Sequence, residues 1–527
     1  MSHPVLINGK WMQSNATESF QPTNPTTGET IDEHYPVSDW NDCDAALAAS
    51  AAAYTALRQL PQSKIADFLN RFADRIDERS DEICSVAHQE TGLPITPRLA
   101  GVEMPRTSNQ LRLAAKSISE ASWQLPTIDT ATGIRSIHSS LGPVAVFGPN
   151  NFPLAFGSVS GGDFAAAIAA GNPVIAKANS SHPGTTRLLA EEAQAAAEET
   201  GMPAGFVQMI YRTSHKDGER MVADARLAAV GYTGSRNAGL KLKNIADAHG
   251  KPIYLELSSI NPVFILPGVV KQRGEEIATE LCGSCLLGAG QFCTSPGLTV
   301  MLESPETQTF IDSLVGNVDA AANGILLSPA VQTSLQSAVA ELVDAGADKK
   351  CGGGIADESG IRFRNTVLQI DGKSFLKNAH TFQTEAFGNA SLVVVASDVD
   401  QAVEIASGLE GNLTGTIYSH ADGDDDELYQ KIEPELRQRV GRLLNDKMPT
   451  GVAVSPAMNH GGPFPATGHP GFTAVGMPDS IRRFSMLQCY DNVRSHRLPE
   501  HLQDENASKI MRRIDGKWTA DAVTGKS

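Results

Sequence analysis

One cysteine of the chain lies in a sequence that forces the backbone to turn. Cys293 stands in LLGAGQFCTSPG, among glycines and a proline. Structural cysteines usually pack as small hydrophobes on regular elements. A thiolate becomes a strong nucleophile when a helix N-terminus or a cation lowers its pKa, and flanking glycines let backbone N–H groups approach the group that it attacks. The pattern indicates a nucleophile, with a core cysteine in a turn as the alternative.

Two further polar side chains stand at the ends of predicted strands. Asn151, in GPNNFPLAF, could donate its amide to a developing oxyanion, or it could form a turn before Pro153. Glu256 lies in the apolar segment YLELSSINP, where burial of a charged carboxylate is costly. This pattern favours a general base with a raised pKa, or a salt-bridged structural glutamate. The segment QTEAFGNA, which contains Glu385, indicates only a loop.

The elements that must position these residues alternate regularly. Residues 42–118 predict mainly helices. From residue 141 the predicted strands PVAVFGP, PVIAKA, GFVQMIY, LAAVGYTGS and PIYLELSS alternate with helices, one ending at Gly201 and one beginning at Arg236. A second such series runs from Asn261 to about 455. This order predicts an α/β fold in which parallel sheets carry helices on both faces.

Composition limits the class of protein. The 527 residues include 43 basic and 60 acidic side chains, a net charge of −17, which disfavours nucleic acid and anionic membranes as partners. The length predicts two to four domains. We expect no secretory leader and no membrane span. Seven cysteines without framework spacing indicate free thiols and a cytosolic protein. The Cys282–Cys285 pair lacks partners at zinc-site spacing, so no metal site is predicted.

The motifs NNFP, YTGS, LELSSINP, GQFCTSPG and TEAFG, in this order, strongly resemble the aldehyde dehydrogenase superfamily. The resemblance extends from LINGKW to RRFSMLQCY. It implies a Rossmann-like cofactor domain, a second α/β catalytic domain and a small β flap that joins subunits into a homodimer or homotetramer. The predicted boundaries are 1–122 and 141–257 for the NAD(P)-binding domain, 258–470 for the catalytic domain, 123–140 and 471–490 for the flap, and 491–527 for a tail with a loose TGKS end.

The resemblance also implies catalytic roles. Cys293 matches the nucleophile that attacks the aldehyde, while the Asn151 amide and the Cys293 backbone N–H hold the oxyanion. Glu256 matches the base that activates water to hydrolyse the thioester. Relatives that transfer the acyl group to coenzyme A lack this glutamate, so its presence favours hydrolysis. His460 matches a histidine near the active site of one branch, where it could tune the thiolate or shuttle a proton. A loop histidine is the alternative.

Cofactor choice follows from the same resemblance. Lys177 matches the lysine that bonds the adenosine ribose, and Ser180 stands where NAD-preferring members carry a glutamate. An anion there would repel a 2′-phosphate, whereas a hydroxyl can donate to it, so NADP is favoured over NAD. Arg212 could stack on the adenine or pair with the phosphate. A dual-cofactor enzyme is the alternative. The remaining implied contacts are Gly234 and Ser235 to the pyrophosphate, and Glu385 and Phe387 to the nicotinamide ribose and ring.

Some motifs, such as ELSSINP, depart from the commonest form in the superfamily. In this they resemble the branch that contains α-ketoglutaric semialdehyde (2,5-dioxovalerate) dehydrogenases and NADP-dependent fatty aldehyde dehydrogenases. The tail resembles the first of these two groups. A dicarboxylic semialdehyde needs a cation, and Arg106 or Arg112, with Gln110, is the candidate; a solvated basic residue is the alternative for each arginine. Arg106 and Gln110 share a helical face, whereas Arg112 is turned about 120° away. We expect NADP-dependent oxidation of the keto-semialdehyde to 2-oxoglutarate. Broad-specificity or fatty aldehyde oxidation and, more remotely, a cysteine hydrolase without a nicotinamide cofactor are alternatives.

Overall fold

The computed structural model describes residues 2–523; Met1 and the predicted loose end TGKS, residues 524–527, lie outside this range. The strands, in chain order, are β1 (Val5–Ile7), β2 (Lys10–Met12), β3 (Ser19–Phe20), β4 (Tyr35–Pro36), β5 (Thr127–Ile128), β6 (Ile134–Ser140), β7 (Val144–Phe147), β8 (Val174–Lys177), β9 (Val207–Ile210), β10 (Ala229–Thr233), β11 (Ile253–Glu256), β12 (Val263–Ile265), β13 (Leu298–Leu302), β14 (Asp348–Cys351), β15 (Thr366–Asp371), β16 (Ala390–Ala396), β17 (Asn412–Tyr418), β18 (Val440–Asn445), β19 (Ser485–Asp491), β20 (Arg512–Ile514) and β21 (Lys517–Thr519).

The α-helices are α1 (Trp40–Leu57), α2 (Ser63–Glu78), α3 (Ser80–Thr91), α4 (Met104–Glu120), α5 (Gly162–Ala169), α6 (Pro183–Thr200), α7 (His215–Ala223), α8 (Arg236–Ala248), α9 (Pro267–Leu286), α10 (Thr307–Ala320), α11 (Pro329–Asp344), α12 (Gly372–Lys377), α13 (Ala379–Phe382), α14 (Val399–Ser407) and α15 (Asp426–Arg439). Within residues 2–523, none of the helices combines the length and the apolar composition needed to cross a bilayer.

The first sheet has the order β11-β10-β7-β8-β9-β1-β2. Its strands are parallel from β11 to β9, and β1 and β2 add an antiparallel edge. Helix α6 ends at Gly201, whose φ of 72° is a conformation that glycine adopts without strain. Because parallel strands end at one edge, Lys177 on β8, Thr233 on β10 and Glu256 on β11 are brought to the same side of the sheet.

The second sheet has the order β14-β15-β16-β13-β12-β17-β18 and is parallel except for β14. Strand β12 begins just after LELSSINP, and β13 begins just after GQFCTSPG. All of Leu298–Leu302 is buried, as expected for a strand that helices cover on both faces. The two sheets confirm the predicted α/β class with parallel sheets.

A third sheet, of order β19-β6-β5-β20-β21, contains the segment 123–140 of the predicted flap, as the antiparallel pair β5 and β6. The described part of the predicted tail, residues 491–523, is not separate from this sheet, because β20 and β21 extend it. Part of the segment 471–490 also differs from the prediction: Ile481 and Phe484 are fully buried in the core of the first sheet, and only β19 joins the third. The domain boundaries otherwise stay predictions.

Candidate active site

Two adjoining cavities open at the carboxyl edge of the first sheet. The smaller encloses about 420 Å³, and Cys293, Glu256 and Asn151 lie in its wall. The larger encloses about 650 Å³, and its wall includes Lys177 and Arg212. The cavities share the lining residues Pro149, Asn150, Thr233, Gly234 and Ser235. They therefore form one continuous recess in which the predicted catalytic and cofactor residues meet.

The turn that carries Cys293 is fixed from both sides. It lies between a 3₁₀ segment, Leu287–Gly290, and strand β13. Gly290 has a φ of +70°, and a Cβ on it would come within 2.0 Å of the carbonyl oxygen of Gly388. The buried side chain of Asn261 donates to the carbonyl oxygens of Cys293 and Ser295 at 3.0 and 2.9 Å. Asn261 is a positioning residue that the sequence analysis missed, although it stands in the unusual ELSSINP motif.

The reactive side chains of Cys293, His460 and Glu256 lie in contact. Nε2 of His460 is 3.5 Å from Sγ of Cys293 and 2.8 Å from Oε1 of Glu256. The His460 and Glu256 side chains are only 1% and 6% exposed, so water screens their interaction little. The His460 backbone N–H donates to Oγ1 of Thr473 at 2.8 Å, which holds the loop in place. The structure thus places His460 between the candidate nucleophile and the candidate base.

The environment of these groups corrects two expectations from the sequence. Burial raises the pKa of the Cys293 thiol well above its usual value, the Glu256 carboxylate raises it further, and Arg106 opposes this shift. Burial would also raise the pKa of Glu256, but the charge and hydrogen bond of His460, together with the neighbouring Cys293 thiol, outweigh it and lower that pKa. The raised pKa expected for Glu256 is wrong. An anionic carboxylate therefore faces a thiol that is protonated at rest.

Asn151 is held so that one amide N–H is used and one is left. Its Nδ2 donates to the carbonyl oxygen of Gln291 at 2.9 Å. The backbone carbonyl oxygen of Asn151 accepts from Nη2 of Arg98 at 3.1 Å, and Arg98 forms an ion pair with the buried Glu103. This pair has no sequence motif and was not predicted. Within residues 2–523, the backbone N–H of Cys293 has no protein acceptor, so this N–H and the second N–H of Asn151 are both available as donors.

The larger cavity presents cations and free N–H groups. Lys177, Ser180 and Arg212 all line it. Burial, reinforced by the charge of Arg212, lowers the pKa of Lys177 to about 8. Ser235 precedes helix α8 and makes no capping hydrogen bond, so the first N–H groups of α8 are available to a ligand. A helix N-terminus beside Gly234 and Lys177 fits the phosphates of a dinucleotide.

Glu385 and Phe387 lie in the wall of the smaller cavity, which Gly234 and Ser235 also line. Burial raises the pKa of Glu385 to about 7, although hydrogen bonds from Ser258 and the backbone of Ser259 partly offset this effect. The arrangement fits an acceptor for ribose hydroxyls with an apolar ring beside it.

Arg106 is the one predicted substrate residue that faces the reactive groups. Its Nη1 donates to the carbonyl oxygen of Val452 at 2.8 Å, whereas its Nε and Nη2 are buried without a hydrogen-bond partner. Its guanidinium lies 5.0 Å from the centre of the Phe156 ring. Burial lowers the pKa of Arg106, and the charges of Glu103, Cys293 and Glu256 oppose this effect. A buried cation with unpaired N–H groups favours an anionic ligand.

Arg112 and Gln110, the other two candidate substrate residues, bind other parts of the protein, so their predicted role in substrate binding is wrong. Nη2 of Arg112 is 2.7 Å from Asp74 and 2.9 Å from Asp77, in ion pairs with helix α2. Both N–H groups of Gln110 are used by carbonyl oxygens of the chain segment that follows Asn151, at 2.8 and 3.1 Å. Arg112 has turned away from the site, as its position on α4 requires, and Gln110 fixes backbone.

Comparison with known proteins shows where this constellation belongs. A sequence model of the aldehyde dehydrogenase family matches residues 11–462. The chain belongs to this family. It is an oxidoreductase that converts an aldehyde to an acid with a nicotinamide cofactor.

Two relatives match almost end to end. Alpha-ketoglutaric semialdehyde dehydrogenase 2 of Azospirillum brasilense is 38% identical, over 97% of this chain and 98% of that protein. Alpha-ketoglutaric semialdehyde dehydrogenase of Acinetobacter baylyi is 35% identical, over 98% of each.

Solved structures show the same fold. A mutant of aldehyde dehydrogenase C from Pseudomonas syringae, in complex with NAD⁺ and octanal, superposes with a TM-score of 0.79 at 21% identity, over 93% of this chain and 96% of that one. Lactaldehyde dehydrogenase from Escherichia coli gives a TM-score of 0.80 at 21% identity, over 93% and 98%.

Proposed function

We propose that this enzyme oxidises α-ketoglutaric semialdehyde (2,5-dioxovalerate) to 2-oxoglutarate with NADP. The names of its two end-to-end relatives support the substrate. The observation that carries the proposal is the guanidinium of Arg106. Two of its nitrogens are buried without a partner, and it lies close enough to Cys293 to favour the thiolate. The distal carboxylate of the keto-semialdehyde would complete these contacts, as Arg pairs strongly with carboxylates.

Cys293 is the proposed nucleophile. Its Sγ attacks the aldehyde carbon while the thiol proton passes to the Glu256 carboxylate, which lies within 4.8 Å of Sγ and is hydrogen-bonded to His460. The carbonyl oxygen becomes an oxyanion held by the second N–H of Asn151 and the backbone N–H of Cys293. A bound nicotinamide supplies the hydride acceptor. Loss of the hydride leaves a thioester on Sγ.

Glu256 is also the proposed base for hydrolysis. After its first proton has left to solvent, the carboxylate takes a proton from water, whose oxygen attacks the thioester carbon. The C–S bond breaks, and Cys293 leaves as a thiolate. His460 is a positioning residue in this scheme: its 2.8 Å hydrogen bond orients Glu256 toward Sγ and stabilises its charge. The products are the carboxylic acid and the reduced cofactor.

The larger cavity supports NADP. Ser180 offers a hydroxyl in place of a carboxylate, and Lys177 and Arg212 bring positive charge to the same wall. Arg212 lines this cavity and is exposed, so its charge is available to a 2′-phosphate. These three residues would hold the adenosine end, while Gly234 and Ser235 at helix α8 would hold the pyrophosphate.

We also propose a cytosolic homo-oligomer, a dimer or a tetramer. All seven cysteines are free, which suits a reducing compartment. Strand β19 is an outer strand of the third sheet, and Leu487 on it is 60% exposed. An exposed apolar edge strand favours pairing with another chain, and a second copy of this protein is the proposed partner.

A substrate and cofactor panel tests the proposal. The purified protein is offered NADP or NAD, each with α-ketoglutaric semialdehyde or a medium-chain aliphatic aldehyde, and the absorbance of the reduced cofactor is followed. We expect the highest kcat/KM for the keto-semialdehyde with NADP, and no reduction in Cys293→Ala. Phe152, Phe156 and Phe292 cluster beside the site, so faster turnover of the aliphatic aldehyde would favour a fatty aldehyde dehydrogenase instead. Reduction with none of the pairs would contradict the proposal.

A further inference from the structure

We propose that Cys293, His460 and Glu256 also form a binding site for Zn²⁺, and that the bound ion inhibits the enzyme reversibly. One ligand atom from each residue lies within 4.8 Å of the other two. The binding part of this proposal stands on the geometry and chemistry of these three side chains and needs no catalytic role. The inhibitory part rests on the proposed function, because it assumes that Cys293 and Glu256 act in catalysis.

The distances fit a tetrahedral zinc ion. Zinc bonds of about 2.3 Å to sulfur and about 2.05 Å to nitrogen, at a tetrahedral angle, place the two ligand atoms about 3.5 Å apart. The observed distance from Sγ of Cys293 to Nε2 of His460 is 3.5 Å. The same geometry requires about 3.4 Å between nitrogen and oxygen. The observed 2.8 Å between Nε2 and Oε1 of Glu256 therefore needs only a small outward movement.

A second observation points to a ligand. Oε2 of Glu256 is buried and has no hydrogen-bond partner. A buried carboxylate oxygen without a donor is unfavourable, and a cation would satisfy it. Oε2 can therefore turn to an ion without breaking a hydrogen bond of its own, whereas the bond between Nε2 and Oε1 is lost when Nε2 binds the ion.

The donor set selects the kind of ion. Thiolate, imidazole and carboxylate are the ligands of zinc, whereas Mg²⁺ and Ca²⁺ require more oxygen ligands than this site offers. Three protein ligands leave a fourth position for water from the adjoining cavity of about 420 Å³. Binding forms Zn–S, Zn–N and Zn–O bonds, and the protons of the thiol and of Nε2 pass to solvent. No electrons are transferred.

Zinc at this position would occupy both the nucleophile and the base. The thiolate would be bound to the ion and unable to attack an aldehyde, and the carboxylate could not take a proton. Inhibition is therefore expected to compete with the aldehyde and to be reversed by a chelator. Because the ion enters from the recess that the substrate uses, bound substrate should protect the enzyme.

The test measures binding without turnover. Cofactor-free enzyme is titrated with zinc sulfate against a chromophoric zinc chelator, and with Co²⁺ as a spectroscopic probe of thiolate ligation. The same titrations are made on Cys293→Ala, His460→Gln and Glu256→Gln. Cys489→Ser, which changes an exposed cysteine, is the control for adventitious thiol binding. Thermal unfolding of each variant shows that it is folded.

We expect one zinc ion per chain and a cobalt–thiolate charge-transfer band. Each triad substitution should weaken binding by at least about 10- to 100-fold, the loss known for outer contacts of metal sites, while Cys489→Ser should retain it. Unchanged binding in folded His460→Gln and Glu256→Gln would overturn the proposal, as would loss in Cys489→Ser. Triad-dependent binding in an enzyme that does not oxidise the keto-semialdehyde would leave the zinc site standing and refute the proposed substrate. Triad-dependent binding without inhibition of an active enzyme would refute the inhibitory role.

Discussion

Around Cys293, functional side chains hold one another, whereas around Lys177 they face an open cavity. His460 bonds Glu256 at 2.8 Å and lies 3.5 Å from Cys293, and all three groups are close to protein neighbours. Ser180 and Arg212, by contrast, line about 650 Å³ of space, and Arg212 is exposed. The first region is assembled before any ligand arrives, and the second offers contacts that only a ligand completes.

This difference separates the effects expected of substitutions in the two regions. Groups that hold each other set the rate of the chemical steps, so their loss should lower kcat with any cofactor. Groups without a protein partner determine the affinity and selectivity for ligands. Their loss should therefore change KM and the preference between NADP and NAD. Arg106 belongs to the second kind although it lies beside the first, because two of its nitrogens are unpaired.

The largest effect is expected at Glu256. Glu256→Gln keeps the size of the side chain but cannot take a proton, so we expect kcat to fall by about 1,000-fold. Because a thioester can still form faster than it is hydrolysed, rapid mixing should show one burst of reduced cofactor per active site, followed by this much slower turnover. Cys293→Ala is the control and should lose the burst as well. Steady turnover near the wild-type rate in Glu256→Gln would refute the preassembled base.

A smaller and more selective effect is expected at Arg106. Arg106→Ala removes the proposed carboxylate contact and should raise KM for the keto-semialdehyde by about 10- to 100-fold, the range of a lost charge-assisted hydrogen bond. KM for an aliphatic aldehyde, which has no distal carboxylate, should change little. Arg112→Ala is the matched control on the same helix, because Arg112 pairs with Asp74 and Asp77 instead. Equal changes for both aldehydes would show that Arg106 supports only structure.

A substitution at Ser180 tests the proposed preference for NADP over NAD. Ser180→Glu places an anion in the cavity wall beside Lys177 and should repel a 2′-phosphate. We expect kcat/KM for NADP to fall by about 10-fold or more, the effect of about 1.4 kcal/mol of charge repulsion in this half-exposed position. The value for NAD, measured on the same preparation, serves as the internal control and should stay level or rise. A parallel loss with both cofactors would argue against NADP selectivity.

Sequence alone predicts much of the fold because its signals are local. Alternating apolar strands and small-residue helices mark the first sheet, and Gly201 marks the end of α6. Helix α7 was not predicted, and neither were β20 and β21 in the polar tail. Their short sequences acquire a defined structure from the surfaces on which they pack, as where β20 pairs with β5 more than 380 residues away along the chain.

The sequence predicts which residues form the candidate site, but not their charges or their hydrogen-bond partners. Motifs can name Cys293, Glu256 and His460, yet only three-dimensional contact shows that Glu256 is a paired anion with a lowered pKa. Contact also distinguishes Arg106 from Arg112, which are chemically identical in the sequence. Asn261 and Arg98 escaped prediction because they act on backbone groups, which carry no sequence signature.

The smallest predicted effect concerns pH and the cofactor cavity. The pKa of Lys177 is lowered to about 8, so its ammonium is lost as the pH rises through that value. A 2′-phosphate prefers the charged form, so the Kd of NADP should rise by up to about tenfold between about pH 7 and about pH 9. NAD should show a smaller rise, because a ribose hydroxyl can also bond a neutral amine. Fluorescence titration of the free enzyme measures both constants.

In Lys177→Arg the charge persists at every pH used, so the difference between the Kd values of NADP and NAD should no longer vary with pH. If it varies as in the wild type, another group controls the binding of the phosphate.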